Sequence, residues 1–350
     1  MLNENNKFSR RDFVRLLGMA GAGSFLTACG LTNEENGVQN PDRLNTGSVT
    51  TRSTDTAKPE ISNPQVTSTA TSGETPETKP SDLTYLSIVH GEDAETITNA
   101  AIAALGGMEK FVHPGNDVII KPNICTDYYS YEYAATTNPW VIAALVKMCL
   151  ASGAKNVRVM DNPFGGSAES AYQRSGIAEA VGQAGGEMEV MNRNKYRIFP
   201  IPDGRDLKEW EFYIPIIEAD VIINVPIAKT HGLARLTLGG KNMLGVINRP
   251  GAMHGNLGQR VADLVSKVKP ALTVIDAVRI LTRNGPTGGD LNDVKSTNRV
   301  IASADIVAAD TFASSLFGMV ASDISYIRAS ADMGLGTMDL SSIKMEEFSV

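Results

Sequence analysis

From Leu83 onward, short runs of β-branched and aliphatic residues alternate with stretches whose apolar positions recur at helical spacing. LTYLSIVH reads as a first strand and ETITNAAIAALGG as the helix after it. DVIIKPN reads as a second strand, NPWVIAALVKMCLASG as a helix opening near Asn138 and Pro139, and NVRVMD as a third strand. ESAYQRSGIAEAVGQAG predicts one helix that stops at Gly185. A less regular section containing KYRIFPIP and EWEFYIP leads to the strand DVIINVP, which runs on into the polar cluster of PIAKTHG. A helix around KNMLGVI, another from Leu257 to Val268, the strands ALTVID and RVIASAD, a helix through DIVAADTFASSLFG, a helix from Asp323 to Met333 and a closing IKMEEFSV complete the chain. This alternation predicts an α/β fold: a largely parallel twisted sheet flanked by helices, Rossmann-like. No repeat of solenoid length is present.

Ligands of open parallel sheets sit beyond the carboxyl ends of the strands, where loops and helix N-termini converge. Those ends carry Lys121 and Asn123 after VII, Asp161 after VRVM, Lys229 and His231 after the strand into PIAKTHG, Asp276 after LTVI and Asp305 after VIAS. Recurrence of Lys, His or Asp at five strand ends points to a shared pocket, since converging polar groups mark sites. Each residue also has a plainer reading. Asp161, Asp276 and Asp305 suit helix caps or turns, and for Asp305 the cap is the favoured role. Asp310 fits a solvated helix face, and Lys241 fits a simple ion pair. His231 has no obvious apolar face to pack on, so ligand or acid/base work stands level with a structural role. His254 is loop-bound and within reach of the same pocket, whereas His90 and His113 read as incidental. The Gly-rich stretches at 164–166, 238–240 and 285–289 could present amides to an anion, yet none matches a phosphate-loop or dinucleotide pattern.

Residues 1–29 read differently. Arg10 and Arg11 precede a modest apolar stretch ending LTAC, a pattern that resembles a twin-arginine export signal followed by a lipobox with Cys29 as the acylated residue. The expected partners are the twin-arginine export machinery and a membrane held through that lipid. The expected location is the outer face of the cytoplasmic membrane, in the cell envelope. Residues 30–82 are rich in Thr, Ser, Asn, Pro and Glu and nearly free of aromatics, as a disordered tether would be. As a flexible coil they would span about 40 Å. The α/β domain is expected over residues 83–350.

Charge and cysteine content narrow the function classes. The chain carries a formal net charge of -7, and beyond residue 29 there remain 28 Lys and Arg against 37 Asp and Glu. An acidic body disfavours nucleic acid as a partner. The three cysteines lie at 29, 125 and 149 with no C-x-x-C pair, so an iron-sulfur cluster of its own is not expected. Cys125 and Cys149 could pair in an oxidising compartment, although Cys149 falls in a helix pattern and suits core packing.

DVIIKPN, ATTNP, VRVMDNP, DVIINVPIAKTHG, GGKNMLG, LTVIDAV with GPTGG, and ASADIVAADTFAS occur in that order, and together they resemble the bacterial and archaeal family named domain of unknown function 362. The resemblance runs from about Leu83 to the C-terminus. It implies the α/β fold and places Lys121, Asn123, Asp161, Lys229, His231, Lys241, Asn242, Asp276 and Asp310 at the family's motif positions. It supplies no reaction. Several relatives carry a ferredoxin-like segment with clustered cysteines, which this chain lacks.

Three function classes follow. The first is an exported enzyme or enzyme-like protein whose pocket takes a small anion or a divalent metal. In it Lys121, Asn123, Asp161, Lys241 and Asn242 bind ligand, His231, Lys229 and Asp276 form the candidate catalytic set, and His231, Asp161 and Asp276 the candidate metal set. Abundant lysine favours the anion, because lysine is a poor metal ligand. One version has a lysine holding a carboxylate while His231 acts as base. The second class is a noncatalytic solute- or partner-binding lipoprotein, and the third an accessory protein that delivers a cofactor.

Overall fold

Short apolar runs such as Val118–Ile120 and Val221–Ile223, too short for a buried helix, form the central strands of one large sheet. A computed structural model describes residues 85–350; the expectations for residues 1–82, including Cys29 and the tether, lie outside the described residues. In chain order the sheet strands are β1 (Tyr85–His90), β2 (Asp117–Pro122), β3 (Asn156–Val159), β4 (Glu187–Met188), then, after a separate antiparallel pair β5 (Tyr196–Pro200) and β6 (Glu209–Tyr213), β7 (Val221–Val225), β8 (Ile227–His231), β9 (Arg235–Thr237), β10 (Leu272–Leu281), β11 (Val294–Ser303) and β12 (Lys344–Ser349). The spatial order is β12-β1-β11-β10-β7-β2-β3-β4, with β8 paired to β10 and β9 to β8.

The α/β class read from the sequence holds. β4, β3, β2, β7, β10 and β8 are mutually parallel, and β1 is parallel to β12. β11 alone on the main path runs against its neighbours, antiparallel to both β1 and β10. That reversal removes Asp305 from the set of converging strand ends. The carboxyl end of β11 lies at the opposite edge of the sheet from that of β10, and Asp305 there caps the next helix by accepting from the amides of Val307 and Ala308.

Side chains alternate across the sheet, and each face has its own core. Val118 and Ile120 of β2 join Val157, Val159, Ile223 and Val274 beneath helices α1 (Ala94–Ala104) and α2 (Pro139–Ala151). Ile119 of β2 joins Met160, Ile222, Ile275 and Ile301 on the other face. α1 is capped by Asp93, and α2 by Asn138 with Pro139 at its first position, so both begin where their sequences expect.

The predicted helix from Glu169 to Gly185 is two: α3 (Ala168–Arg174) and α4 (Ile177–Gln183). Gly176 between them sits at φ +76°, a left-handed conformation that ends one helix and starts the next. The irregular section ends in α5 (Ile214–Glu218). The KNMLGVI helix shortens to α6 (Gly239–Asn242) followed by a 3₁₀ turn over Met243–Val246. α7 (Leu257–Val268) keeps its expected bounds, and α8 (Ile306–Ser315) and α9 (Ser325–Asp332) follow. The polar strand quoted as PIAKTHG is interrupted at Pro226. β7 ends before it, and β8 folds back on β9 as a hairpin that pairs Lys229 with Thr237 and His231 with Arg235.

Candidate functional site

Strand parity decides what Lys121 can touch. It points to the same face as Ile119, as Asn224 of β7 does with Ile222, and both meet α6 there. Asn242 of α6 joins them. Its Oδ1 accepts from Lys121 Nζ at 3.0 Å and from Asn123 Nδ2 at 3.0 Å, while its Nδ2 donates to Asn224 Oδ1 at 2.8 Å. Asn224 Nδ2 in turn donates to the Gly239 carbonyl at 3.0 Å. This buried polar chain ties α6 to the ends of β2 and β7.

Lys121 is fully buried and uses all three of its donors: Asp161 Oδ1 at 2.6 Å, the Pro122 carbonyl at 2.8 Å and Asn242 Oδ1. Burial pulls its ammonium below the ordinary lysine value, and Asp161 opposes that pull. Asp161 also accepts from the amides of Ile124 at 2.6 Å and Asn162 at 2.8 Å. The pair is roofed by backbone at Gly245, where a Cβ would lie 2.1 Å from Asp161 Oδ1 and 2.6 Å from Lys121 Nζ. Only glycine fits that approach.

Asp310 is not on a solvated helix face. It is buried in α8 and accepts from the amides of Gly239 at 2.6 Å and Gly240 at 2.8 Å, pinning the start of α6. Burial pushes its carboxyl up to about 7, against the two amide hydrogen bonds.

Above these anchors opens a cavity of ≈ 370 Å³. Lys121, Asn123, Asp161, Lys229, His231, Lys241 and Asn242 all line it, together with His254. Apolar wall is supplied by Ile124, Phe164, Leu244, Pro250 and Pro286. Of the residues in the candidate ligand-binding, catalytic and metal sets, Asp276 alone is missing. It is completely buried in β10 behind the cavity, accepting from the amide of Asn138, the α2 cap, at 2.7 Å and from that of Val278 at 3.0 Å. Burial raises its carboxyl to about 7. Its position makes it a brace for α2 and removes it from the candidate catalytic set.

The candidate metal set does not assemble. Among the described residues no group of three or more His, Cys, Asp or Glu side chains could hold a metal ion. Asp161 is engaged by Lys121, and Asp276 lies outside the cavity. His231 has the wrong polarity as well. Its Nδ1 accepts from the amides of Leu233 at 3.2 Å and Ala234 at 3.3 Å, which fixes the neutral tautomer with its proton on Nε2. A metal-bound imidazole needs an acceptor, not donors, behind its free ring nitrogen. Burial, then the charges of Lys241, Lys229 and His254, press its conjugate acid down to about 4. His231 is therefore a neutral donor, and the base role assigned to it from sequence gives way to this one.

Lys229 and Lys241 complete the lining. Lys229 is buried and donates to the Ala135 carbonyl at 2.6 Å; burial lowers its value, with Cys125 and Asp161 opposing. Lys241 has no hydrogen-bond or ion-pair partner among the described residues, and burial followed by the charge of Lys229 brings it to about 8. Cys125 was not singled out for the site by sequence. Its thiol is buried in the cavity wall and donates to the Pro286 carbonyl at 3.4 Å. Both Cys125 and Cys149 are free, and Cys149 lies on the buried face of α2, packed in the core. Only the position of Cys125 two residues past the Lys121-Pro122-Asn123 strand end could have flagged it.

A model of the family described as Domain of unknown function (DUF362) matches residues 118–315, from β2 to the end of α8. The chain belongs to that family. The matched DUF362 span encloses every residue named above as lining the cavity, and Asp310 beneath it. A curated relative, the thylakoid-associated protein sll1697 of Synechocystis sp. (strain ATCC 27184 / PCC 6803 / Kazusa), is 26% identical over 242 residues, covering 66% of this chain and 72% of its own. Among solved structures the lactate racemase apoprotein from Thermoanaerobacterium thermosaccharolyticum aligns with TM-score 0.38 and 12% identity, over 63% of this chain and 54% of that one. This DUF362 chain thus spans about half the length of that protein.

Proposed function

We propose that the DUF362 cavity binds a small organic anion, a carboxylate carried on a short apolar body. One observation carries this reading: among the described residues three lysines line the cavity against a single carboxylate, and that carboxylate is already paired with Lys121. Lys229 and Lys241 are left facing the open volume, joined by the Nε2–H of His231. At 4 Å and an effective dielectric near 20, one such lysine attracts a carboxylate by about 4 kcal/mol before desolvation. The apolar wall formed by Ile124, Phe164, Leu244 and Pro286 suits the ligand's carbon body and excludes water around the charge.

The setting proposed for this activity is the cell envelope, with export directed by Arg10 and Arg11 and anchoring through Cys29. The name of the thylakoid-associated relative supports a membrane-proximal life. Labelling with radioactive palmitate, abolished by Cys29→Ser, tests that part.

Calorimetry on the full chain tests the site. Propionate, malonate and inorganic phosphate are titrated into wild type and Lys241→Gln, with chloride as control. Saturable binding of a carboxylate, weakened at least tenfold in the variant, is the expected result. Absence of saturable heat with every anion, or identical affinity in both proteins, rejects the reading.

A further inference from the structure

The three cavity lysines are not equivalent. Lys121 spends its donors on a carboxylate, a carbonyl and an amide oxygen, and Lys229 is held by the Ala135 carbonyl. Lys241 faces the same volume with no acceptor among the described residues, on a helix held in place from below by Asp310 and Asn242. A lysine that is desolvated, close to other cations and free of acceptors has the environment of an amine nucleophile rather than a charge clamp. Its value of about 8 leaves a usable neutral fraction near physiological pH.

Two neighbours complete a carbonyl-addition site. His231 lines the cavity as a neutral imidazole whose Nε2–H has no acceptor among the described residues and is suited to a carbonyl oxygen as negative charge develops on it. Lys229 offers a second cation for a carboxylate on the adjoining carbon.

We propose that Lys241 captures small 2-oxo acids as a protonated imine, with Lys229 holding the carboxylate and His231 donating to the carbonyl oxygen. This rests on the anion-binding reading above and names the class of anion. The amine nitrogen adds to the carbonyl carbon, the C–N bond forms and the oxygen is protonated to give a carbinolamine. Loss of that oxygen as water, with its C–O bond breaking as the nitrogen lone pair forms C=N, yields the imine. Amine, ketone and one proton give imine cation and water, with no oxidant or reductant.

The test is reductive trapping on the full chain. Pyruvate or glyoxylate is added with cyanoborohydride, and the protein is examined by intact mass and peptide mapping. The expected result is one adduct weighing the oxo acid less one oxygen atom, mapped to Lys241, suppressed by excess propionate and absent from Lys241→Arg. Calorimetry with the same oxo acids and with propionate runs alongside, because Lys241→Arg keeps the charge and loses only the nucleophile. Saturable binding without a trapped adduct, or adducts spread equally over surface lysines, overturns the imine and leaves anion binding standing. Neither binding nor adduct overturns both. Mapping in wild type decides the matter even if the arginine variant does not fold.

Discussion

Lys121 Nζ lies 2.6 Å from Asp161 Oδ1, with both side chains almost wholly inaccessible. The pair joins β2 to the loop after β3, and the backbone at Gly245 packs directly on it. Its position in the cavity lining makes it a foundation: it neutralises one lysine and fixes the strand ends from which the other donors rise. Removing one member of a buried pair strands the other charge and costs about 3–5 kcal/mol. Asp161→Asn is therefore expected to lower the urea-unfolding free energy by about 3 kcal/mol. The double variant Lys121→Met/Asp161→Leu should lose less than the two single changes together. Additive losses in that cycle would show that the two charges are not coupled.

Lys241 predicts how anion binding responds to pH. A bound carboxylate favours the ammonium, so binding takes up a proton wherever unliganded Lys241 is partly neutral, that is near and above pH 8. The titratable groups lining the cavity with it are Lys229, Lys121, Asp161, His231, His254 and Cys125, and Asp161, paired with Lys121, does not offset this direction. Propionate affinity should fall as pH rises from 8 to 10, by up to about tenfold per unit. Calorimetry in buffers of different ionisation enthalpy should register the proton uptake at pH 8, and Lys241→Gln should abolish it.

The unliganded protein should also be strained by the same residue. A lysine whose folded value lies below its unfolded one leaves the unfolded chain holding more protons between about 8 and 10.5. Stability from this group then rises with pH across that window. Lys241→Met should stabilise the protein at pH 7 by about 1–3 kcal/mol, by removing a poorly compensated buried charge. Urea unfolding at pH 7 and pH 10 checks it, and the gain should shrink at the higher pH.

His231 should not titrate between pH 5 and 8, since its conjugate acid forms only near pH 4. Nitrogen-15 spectra of the imidazole should show the Nε2–H tautomer, set by the amides of Leu233 and Ala234. His231→Asn can offer an oxygen to those amides and so preserve the turn. It should weaken propionate binding while changing unfolding free energy by under about 1 kcal/mol. An Nδ1–H tautomer would contradict the donor role.

Asp276 gives the opposite pH signature to Lys241. Its folded value of about 7 exceeds the ordinary 3.8, so the folded state holds more protons between those limits. Its contribution is greatest below pH 4 and is lost as pH rises toward 7, by up to about 1.4 kcal/mol per unit. The stability lead of wild type over Asp276→Asn should therefore shrink from pH 4 to pH 7. A lead that widens with pH would mean that the amides of Asn138 and Val278 keep the carboxylate ionised throughout.

Much of this protein is local and was open to the sequence. The continuous burial of β2, the cap and proline at Asn138–Pro139 and the alternation of strand with helix are properties of neighbouring residues, and they specify an α/β sheet with helices on both faces. The same logic put Lys121, Asn123, Asp161, Lys229 and His231 at strand ends, where the cavity lies. What depends on direction or on distant partners was decided by the tertiary structure. The reversal of β11 moved Asp305 to the far edge, because an isolated strand pattern does not say which way its neighbours run. Asp276 and Asp310 turned inward to backbone amides of α2 and α6, since a buried carboxylate takes whichever donors the packing brings, and those donors lie 138 and 70 or 71 residues away in the chain. The tautomer of His231, the pairing of Lys121 with Asp161 and the lack of a partner for Lys241 among the described residues follow from contacts that only folding creates. Those contacts divide the lysines of the cavity into one that is neutralised and two that are left for a ligand.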